Sequence, residues 1–198
     1  MHTSSMDKMI AFRNKYLESR KTQSLKILDI GSQEVNGSYK TIFAEQSNWQ
    51  YCGCDMVAGK NVDVVLSDPY NWKEIPPESA DIVVSGQAFE HIEYFWITML
   101  EIHRVLKPGG MCCLIAPSSG FEHRYPVDCW RFYPDGFNAL ARYAHMDVIE
   151  VYTQWDDLPQ YDADNNCWHD SVLIASKKHS TGIRDRIRRQ LIQWSRVI

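Results

Sequence analysis

The chain has 198 residues, 44% of them hydrophobic, and a formal net charge of −4. That length supports one domain with a full core, and so weak a negative charge gives no global attraction to nucleic acid. No early apolar stretch has the character of a signal peptide or a membrane span, so a cytoplasmic protein is expected.

Met6, Met9, Ile10, Tyr16 and Leu17 recur at helical spacing and predict a leading helix over Ser5–Arg20. Short buried strands are predicted at Leu25–Gly31, Gln50–Asp55, Val62–Leu66, Asp81–Ser85 and Met111–Ala116. Between the last two, Glu90–Leu106 reads as a helix that ends at Lys107-Pro108-Gly109-Gly110. Strands alternating with helices imply a parallel sheet. A helix is then predicted from Pro134 to about His145, followed by strands near Asp147–Thr153 and Ser171–Ser176 that are spaced for antiparallel pairing. Neither Cys52-Gly-Cys54 nor Cys112-Cys113 has the paired spacing of a zinc site, so the six cysteines are expected to be free thiols and no metal site is expected.

The most informative segment is Asp29-Ile30-Gly31-Ser32, directly after the run Leu25 to Ile30, with Asn36-Gly37-Ser38 next. It reads as strand, glycine turn and helix start. Open α/β sheets bind ligands in this crevice, where glycine lets the ligand approach the backbone. A dinucleotide prefers a G-x-G-x-x-G run for its pyrophosphate, whereas here glycines are sparse and a carboxylate stands on the approach. Such a site favours a cation. Asp55, ending the next strand, stands where a ribose diol would lie, and together the two acids fit S-adenosylmethionine, which carries a sulfonium and an ammonium.

With these elements placed, the sequence resembles the Rossmann-like S-adenosylmethionine-dependent methyltransferases over roughly residues 25–177. The resemblance rests on Leu28-Asp29-Ile30-Gly31-Ser32, Asp55, Leu66-Ser67-Asp68-Pro69-Tyr70, Asp81-Ile82-Val83-Val84-Ser85 leading to Glu90-His91-Ile92, and Arg104-Val105-Leu106-Lys107-Pro108-Gly109-Gly110. It implies an α/β fold with a Rossmann-like seven-stranded, mostly parallel sheet, helices on both faces and an antiparallel last strand. It further implies S-adenosylmethionine as cofactor, leaving as S-adenosylhomocysteine. The cofactor contacts implied are Asp29, Gly31, Ser32 and Gly37 after the first strand, Asp55 and Met56 after the second, Asp68 and Tyr70 after the third, and Ser85 and Gln87 after the fourth. Pro69 offers no backbone N–H, so Asp68 is expected to meet the adenine amine and Tyr70 to pack beside the ring. His91 suggests a catalytic base, but the family's Glu-His pair, here Glu90-His91, opens a helix and is usually structural.

The stretch from Ala116 to Asp135 is similar to a bacterial branch of that family associated with surface-polysaccharide synthesis. Read from its own residues, the loop 117–133 is the acceptor side. His123, Asp128 and Tyr125 are the candidate catalytic residues, since a hydroxyl acceptor must lose its proton whereas an amine need only arrive neutral. Arg124 and Arg131 could meet an anionic group, and Tyr125, Trp130 and Phe132 could form an aromatic platform for a sugar. The competing reading has the aromatics covering the sheet's edge and Arg131 pairing Asp128 or Asp135. The expected activity is O-methylation of a glycan or similar small polar acceptor, the alternatives being N-methylation of a small molecule and a non-catalytic cofactor-binding module. The chain up to residue 180 reads as one methyltransferase domain. Residues 181–198 read as a basic amphipathic helix with Ile183, Ile187, Leu191 and Trp194 on one stripe, able to pack on its own domain, on a twin subunit or on the inner face of an anionic membrane.

Overall fold

The computed structural model describes residues 2–179, so the predicted C-terminal helix lies outside the described residues. The leading helix α1 spans Thr3–Phe12 and continues through a wider turn, Arg13–Leu17, and a tighter one, Glu18–Arg20. Then come β1 (Leu25–Ile30), α2 (Lys40–Ala44), β2 (Trp49–Asp55), β3 (Val64–Val65) and β4 (Ala80–Gly86). The remainder is α3 (Phe95–Val105), β5 (Leu106–Ala116), α4 (Pro134–Tyr143), β6 (Met146–Thr153), α5 (Ala163–Asn166) and β7 (Ser171–Lys177).

The seven strands form one sheet in the order β3-β2-β1-β4-β5-β7-β6. The first five are mutually parallel, and β7 inserts antiparallel between β5 and β6. The predicted fold class is therefore found. Because strand order reverses between β1 and β4, their carboxyl ends splay the following loops apart and open a crevice there.

Period-two alternation sorts the strand side chains into two cores. Leu28, Ile30, Val83, Cys112 and Leu114 face α3 and α4 through Met99, Ile102, Phe137 and Leu140. Ile27, Ile82, Val84, Cys113 and Ile115 face α1 and α2 through Met9, Phe12, Ile42 and Phe43. The adjacent Cys112 and Cys113 thus lie on opposite faces, and all six cysteines are free thiols.

Two differences from the sequence reading affect the site. The predicted helix Glu90–Leu106 is broken, because Ile92 takes an extended conformation and isolates a short turn, Phe89–His91, from α3. Glu90 and His91 are therefore not the first turn of a long helix, and their side chains meet a loop. The segment Lys107-Pro108-Gly109-Gly110 also runs inside β5 rather than closing the helix, with a register shift against β4 between Ala80 and Ile82. A bulge absorbs the proline there, which cannot donate to a regular ladder.

Candidate cofactor and acceptor site

The Gly31 turn lies against the loop after β4. Gly31 has φ of +78°, and a Cβ on it would fall 2.4 Å from the Ala88 Cβ, so glycine is required twice over, by conformation and by approach. The amides of Gly31 and Ser32 both donate to the Cys54 carbonyl, at 2.9 and 3.2 Å, which ties the turn to β2. Ser32 Oγ donates to the Asn61 carbonyl at 3.0 Å, while Asn61 Nδ2 returns a bond to the Ser32 carbonyl at 2.9 Å. Gly53 makes room for this exchange, since a Cβ there would meet the Asn61 oxygen at 2.0 Å.

Asp29 is 2% exposed and accepts a hydrogen bond from the Tyr51 hydroxyl. Burial pushes its carboxyl up to about 7; the Tyr51 bond opposes this and the charge of Asp55 adds to it. Asp55 ends β2 with one oxygen accepting from the Gln33 amide at 3.0 Å and the other from the Val57 amide at 3.2 Å. Each oxygen keeps a lone pair for a further donor, as a diol requires. Met56 is exposed beside it. Gly37 has φ of +112° and is exposed in the segment between β1 and α2.

Beyond β3, one Asp68 oxygen accepts from the Tyr70 amide at 2.7 Å, and the Tyr70 ring leans on Tyr94 with centroids 5.3 Å apart. The Pro69 carbonyl accepts from Trp72 Nε1 at 3.0 Å and from the Thr98 hydroxyl of α3 at 3.4 Å, the second of which pins this turn beside α3. Ser85 is buried and donates to the Ile30 carbonyl at 2.7 Å. Ser32 and Ser85 thus stand at the strand ends expected of them, but their hydroxyls brace the scaffold rather than face a ligand. Gln87, with φ of +57°, donates through Nε2 to Asp170 at 2.9 Å, and its buried Oε1 has no hydrogen-bond partner among the described residues. An orphaned acceptor beside the Gly31 turn, with a buried acid nearby, fits the ammonium end of an amino acid.

On the acceptor side, Asp128 is the hub of the loop. Its carboxylate takes Arg131 in a two-pronged bond, at 2.6 and 2.9 Å, and the His123 amide at 2.8 Å. The guanidinium holds that carboxyl well below the usual carboxylate range. Asp128 is therefore no proton acceptor, a correction to its place among the catalytic candidates; the pairing with Arg131 wins because it buries the carboxylate fully bonded. Phe132 is 4% exposed and packs with Phe137 in the core, so it is not part of an aromatic platform. Tyr125 remains open at 64% exposure, and Trp130 at 38% is tied to the Glu93 carbonyl.

The Glu90 carbonyl accepts from the amides of Cys129 and Trp130, at 2.7 and 3.2 Å, and so draws the loop down onto the Phe89–His91 turn. His123 and His91 come into edge contact with centroids 4.8 Å apart, and Tyr125 lies 6.3 Å from His123. Glu90 itself is fully buried, and burial pushes its carboxyl up to about 8. Tyr51, Asn61 and Asp170, which hydrogen-bond to the candidates Asp29, Ser32 and Gln87, escaped the sequence reading. Tyr51 and Asn61 depend on strand register, and the only sequence signal for Asp170 was an acid placed directly before a strand.

Residues 28–114 match the family described as methyltransferase domain. No curated protein matches the chain. Among solved structures, the chain is similar to 1,6-didemethyltoxoflavin-N1-methyltransferase of Burkholderia thailandensis, solved with 1,6-didemethyltoxoflavin and S-adenosylhomocysteine; identity is 17%, coverage 88% of this chain and 78% of that one, and TM-score 0.65. An S-adenosylmethionine-dependent methyltransferase from Archaeoglobus fulgidus matches at 17% identity, with 87% and 95% of the two chains covered and a TM-score of 0.61. Phosphoethanolamine N-methyltransferase 2 of Haemonchus contortus, solved with S-adenosylmethionine, matches at 16% identity over 84% and 52% of the chains, with a TM-score of 0.58. The sheet is the Rossmann-like sheet of these enzymes. Over residues 28–114 the chain carries the match to a methyltransferase domain, and neighbours that share its sheet were solved with S-adenosylmethionine or S-adenosylhomocysteine bound. No helix among the described residues is long and apolar enough to cross a membrane.

A pH dependence follows if Asp29 faces the donor's ammonium. Without ligand its folded value is raised, so the stability it contributes is full below about pH 4 and is lost as pH rises through about 7. A cation favours the carboxylate, so cofactor affinity changes the opposite way. S-adenosylhomocysteine should bind about tenfold tighter at pH 8 than at pH 6, with proton release at the lower pH, and Asp29→Asn should flatten the profile. Calorimetry in buffers of different ionisation enthalpy reads both quantities; a flat wild-type profile would remove Asp29 from the ammonium site.

Proposed function

We propose that the chain is a methyltransferase that uses S-adenosylmethionine to methylate a hydroxyl of a small polar acceptor, a sugar or a lipid-linked glycan, seated against the loop 117–133. One observation carries this reading: the loop sets His123 against His91, with buried Glu90 behind them, next to the sheet end that carries the cofactor residues. An amine needs no such cluster, whereas a hydroxyl oxygen has to be freed of its proton as it takes the methyl group. Exposed rings flank the cluster, with Phe121 and Tyr125 each 64% exposed and both in ring contact with His123, faces suited to the C–H side of a sugar ring.

In this reading His123 and Tyr125 meet the acceptor, and Asp128 is a positioning residue that holds the His123 backbone. Asp29, Gly31, Gly37, Asp55, Met56 and Gln87 hold the donor, with Asp68 and Tyr70 at the adenine end and Ser32 and Ser85 as braces. Bound there, the donor supplies an electrophilic methyl on sulfur. The chain's own contribution is to hold the acceptor oxygen in line and exclude water, an effect that can reach several kcal/mol. The test is release of S-adenosylhomocysteine over a panel of nucleotide sugars, lipid-linked glycans and small amines. Turnover is expected with a glycan acceptor, and His123→Ala should lower it by roughly a hundredfold or more with cofactor affinity nearly unchanged. Turnover with amines alone would replace this reading by N-methylation, and binding without any turnover would leave a cofactor-binding module.

A further inference from the structure

We infer that Glu90, His91 and His123 form a binding site for a divalent transition-metal ion of the zinc class. The donor atoms of the three side chains all lie within 4.8 Å of one another, and Glu90 Oε1 is already 3.7 Å from His91 Nε2. Ligands about 2.1 Å from a tetrahedral ion stand about 3.4 Å apart, so small side-chain rotations close the set. Two imidazoles and one carboxylate leave a fourth position open, the donor set of hydrolytic zinc centres.

Three further observations point to an ion rather than to a packing cluster. Glu90 is 0% exposed, yet neither of its carboxylate oxygens has a hydrogen-bond partner among the described residues. A buried carboxyl group left without partners is costly, and a cation is the partner that removes the cost. His91 Nδ1 lies 2.6 Å from the Val127 carbonyl, which fixes the proton on that nitrogen and leaves Nε2 as the donor on the Glu90 side. His123 Nδ1 lies 3.4 Å from Asp128 Oδ2, and Asp128 is itself locked by Arg131. The Val127 carbonyl behind His91 is the outer-shell partner that orients a metal-binding histidine, while buried His123 Nδ1 has no hydrogen-bond partner among the described residues. The two imidazole side chains are 13% and 20% exposed, so an ion can enter from the loop side. Resting on the acceptor reading above, the open position is where the acceptor oxygen would bind.

Untagged full-length protein, stripped with chelator, is titrated with Zn²⁺ by calorimetry and with Co²⁺ followed by its visible absorption. One equivalent is expected, with the intense bands of low-coordinate Co²⁺. Glu90→Gln and His123→Asn should each weaken binding by roughly a hundredfold or more, whereas His169→Ala, outside the cluster, should not change it. Absence of stoichiometric binding, or binding by both variants at the wild-type affinity, overturns the site; the second result would put the ion elsewhere, as on Cys52 and Cys54. S-adenosylhomocysteine binding measured on the same metal-free samples keeps the two readings apart. Retained cofactor binding and glycan turnover without metal binding sink this inference alone, whereas metal binding without glycan turnover sinks the acceptor reading alone.

Discussion

Asp55→Ala is expected to weaken S-adenosylhomocysteine binding by about ten- to hundredfold, corresponding to the 1.5–3 kcal/mol typical of a lost hydrogen bond to a charged group. The residue has two tasks at the end of β2. Its oxygens accept from the Gln33 and Val57 amides and so shape the loops after β1 and β2, and each keeps a lone pair for the ribose diol. Asp55→Asn separates the tasks. The amide oxygen can still accept one backbone bond, but the charge is gone, so Asn should recover fold stability while recovering only part of the affinity. Calorimetry with thermal unfolding of the apoproteins reads the two effects independently. If Asp55→Ala binds S-adenosylhomocysteine as the wild type does, the diol lies elsewhere and the ribose assignment fails.

Asp128→Ala is expected to cost about 3 kcal/mol of stability, the low end for breaking a largely buried ion pair, because Arg131 retains partial exposure. The Asp128 carboxylate is 3% exposed and joins the Arg131 fork to the His123 amide, while Arg131 Nη2 also donates to the Phe121 carbonyl at 2.9 Å. Removing it leaves a guanidinium without its anion and frees the segment that carries His123. Methyl transfer should therefore collapse while cofactor affinity, set at the other strand ends, changes little. Arg131→Met removes the other partner and should destabilise comparably, and the double variant should be less damaged than the sum of the two. Urea unfolding of the four proteins gives this coupling energy; additive effects would show that the pair does not organise the loop.

The resemblance drew on residues whose physical meaning is local. A strand run followed by acid and glycine, as at Leu25–Gly31, needs no long-range knowledge to be read, because burial of a parallel strand and glycine's access to positive φ are properties of a few consecutive residues. Asp55 was legible for the same reason, as an acid directly ending an apolar run, and so was the antiparallel pairing of the last two strands. The sequence of elements and its parallel order came from alternation alone, although it could not reveal that β7 enters between β5 and β6.

Only the tertiary structure decided which polar groups face a ligand. Ser32 and Ser85 lie at the right strand ends, but their hydroxyls are claimed by the Asn61 and Ile30 carbonyls across neighbouring elements. Asp128 and His123 stand five residues apart and read alike as proton acceptors; the Arg131 fork, formed when the loop folds back, removes the first and positions the second. Phe132 and Tyr125 are both aromatic loop residues, and only the packing against Phe137 separates a core ring from an open one. Glu90 and His91 changed most. Helical periodicity carries through them in one dimension, but the extended Ile92 swings them out of α3, and the Glu90 carbonyl then gathers the loop that brings His123 beside them. A contact between residues 91 and 123 depends on chain reversal and on hydrogen bonds formed after collapse, so no local pattern encodes it.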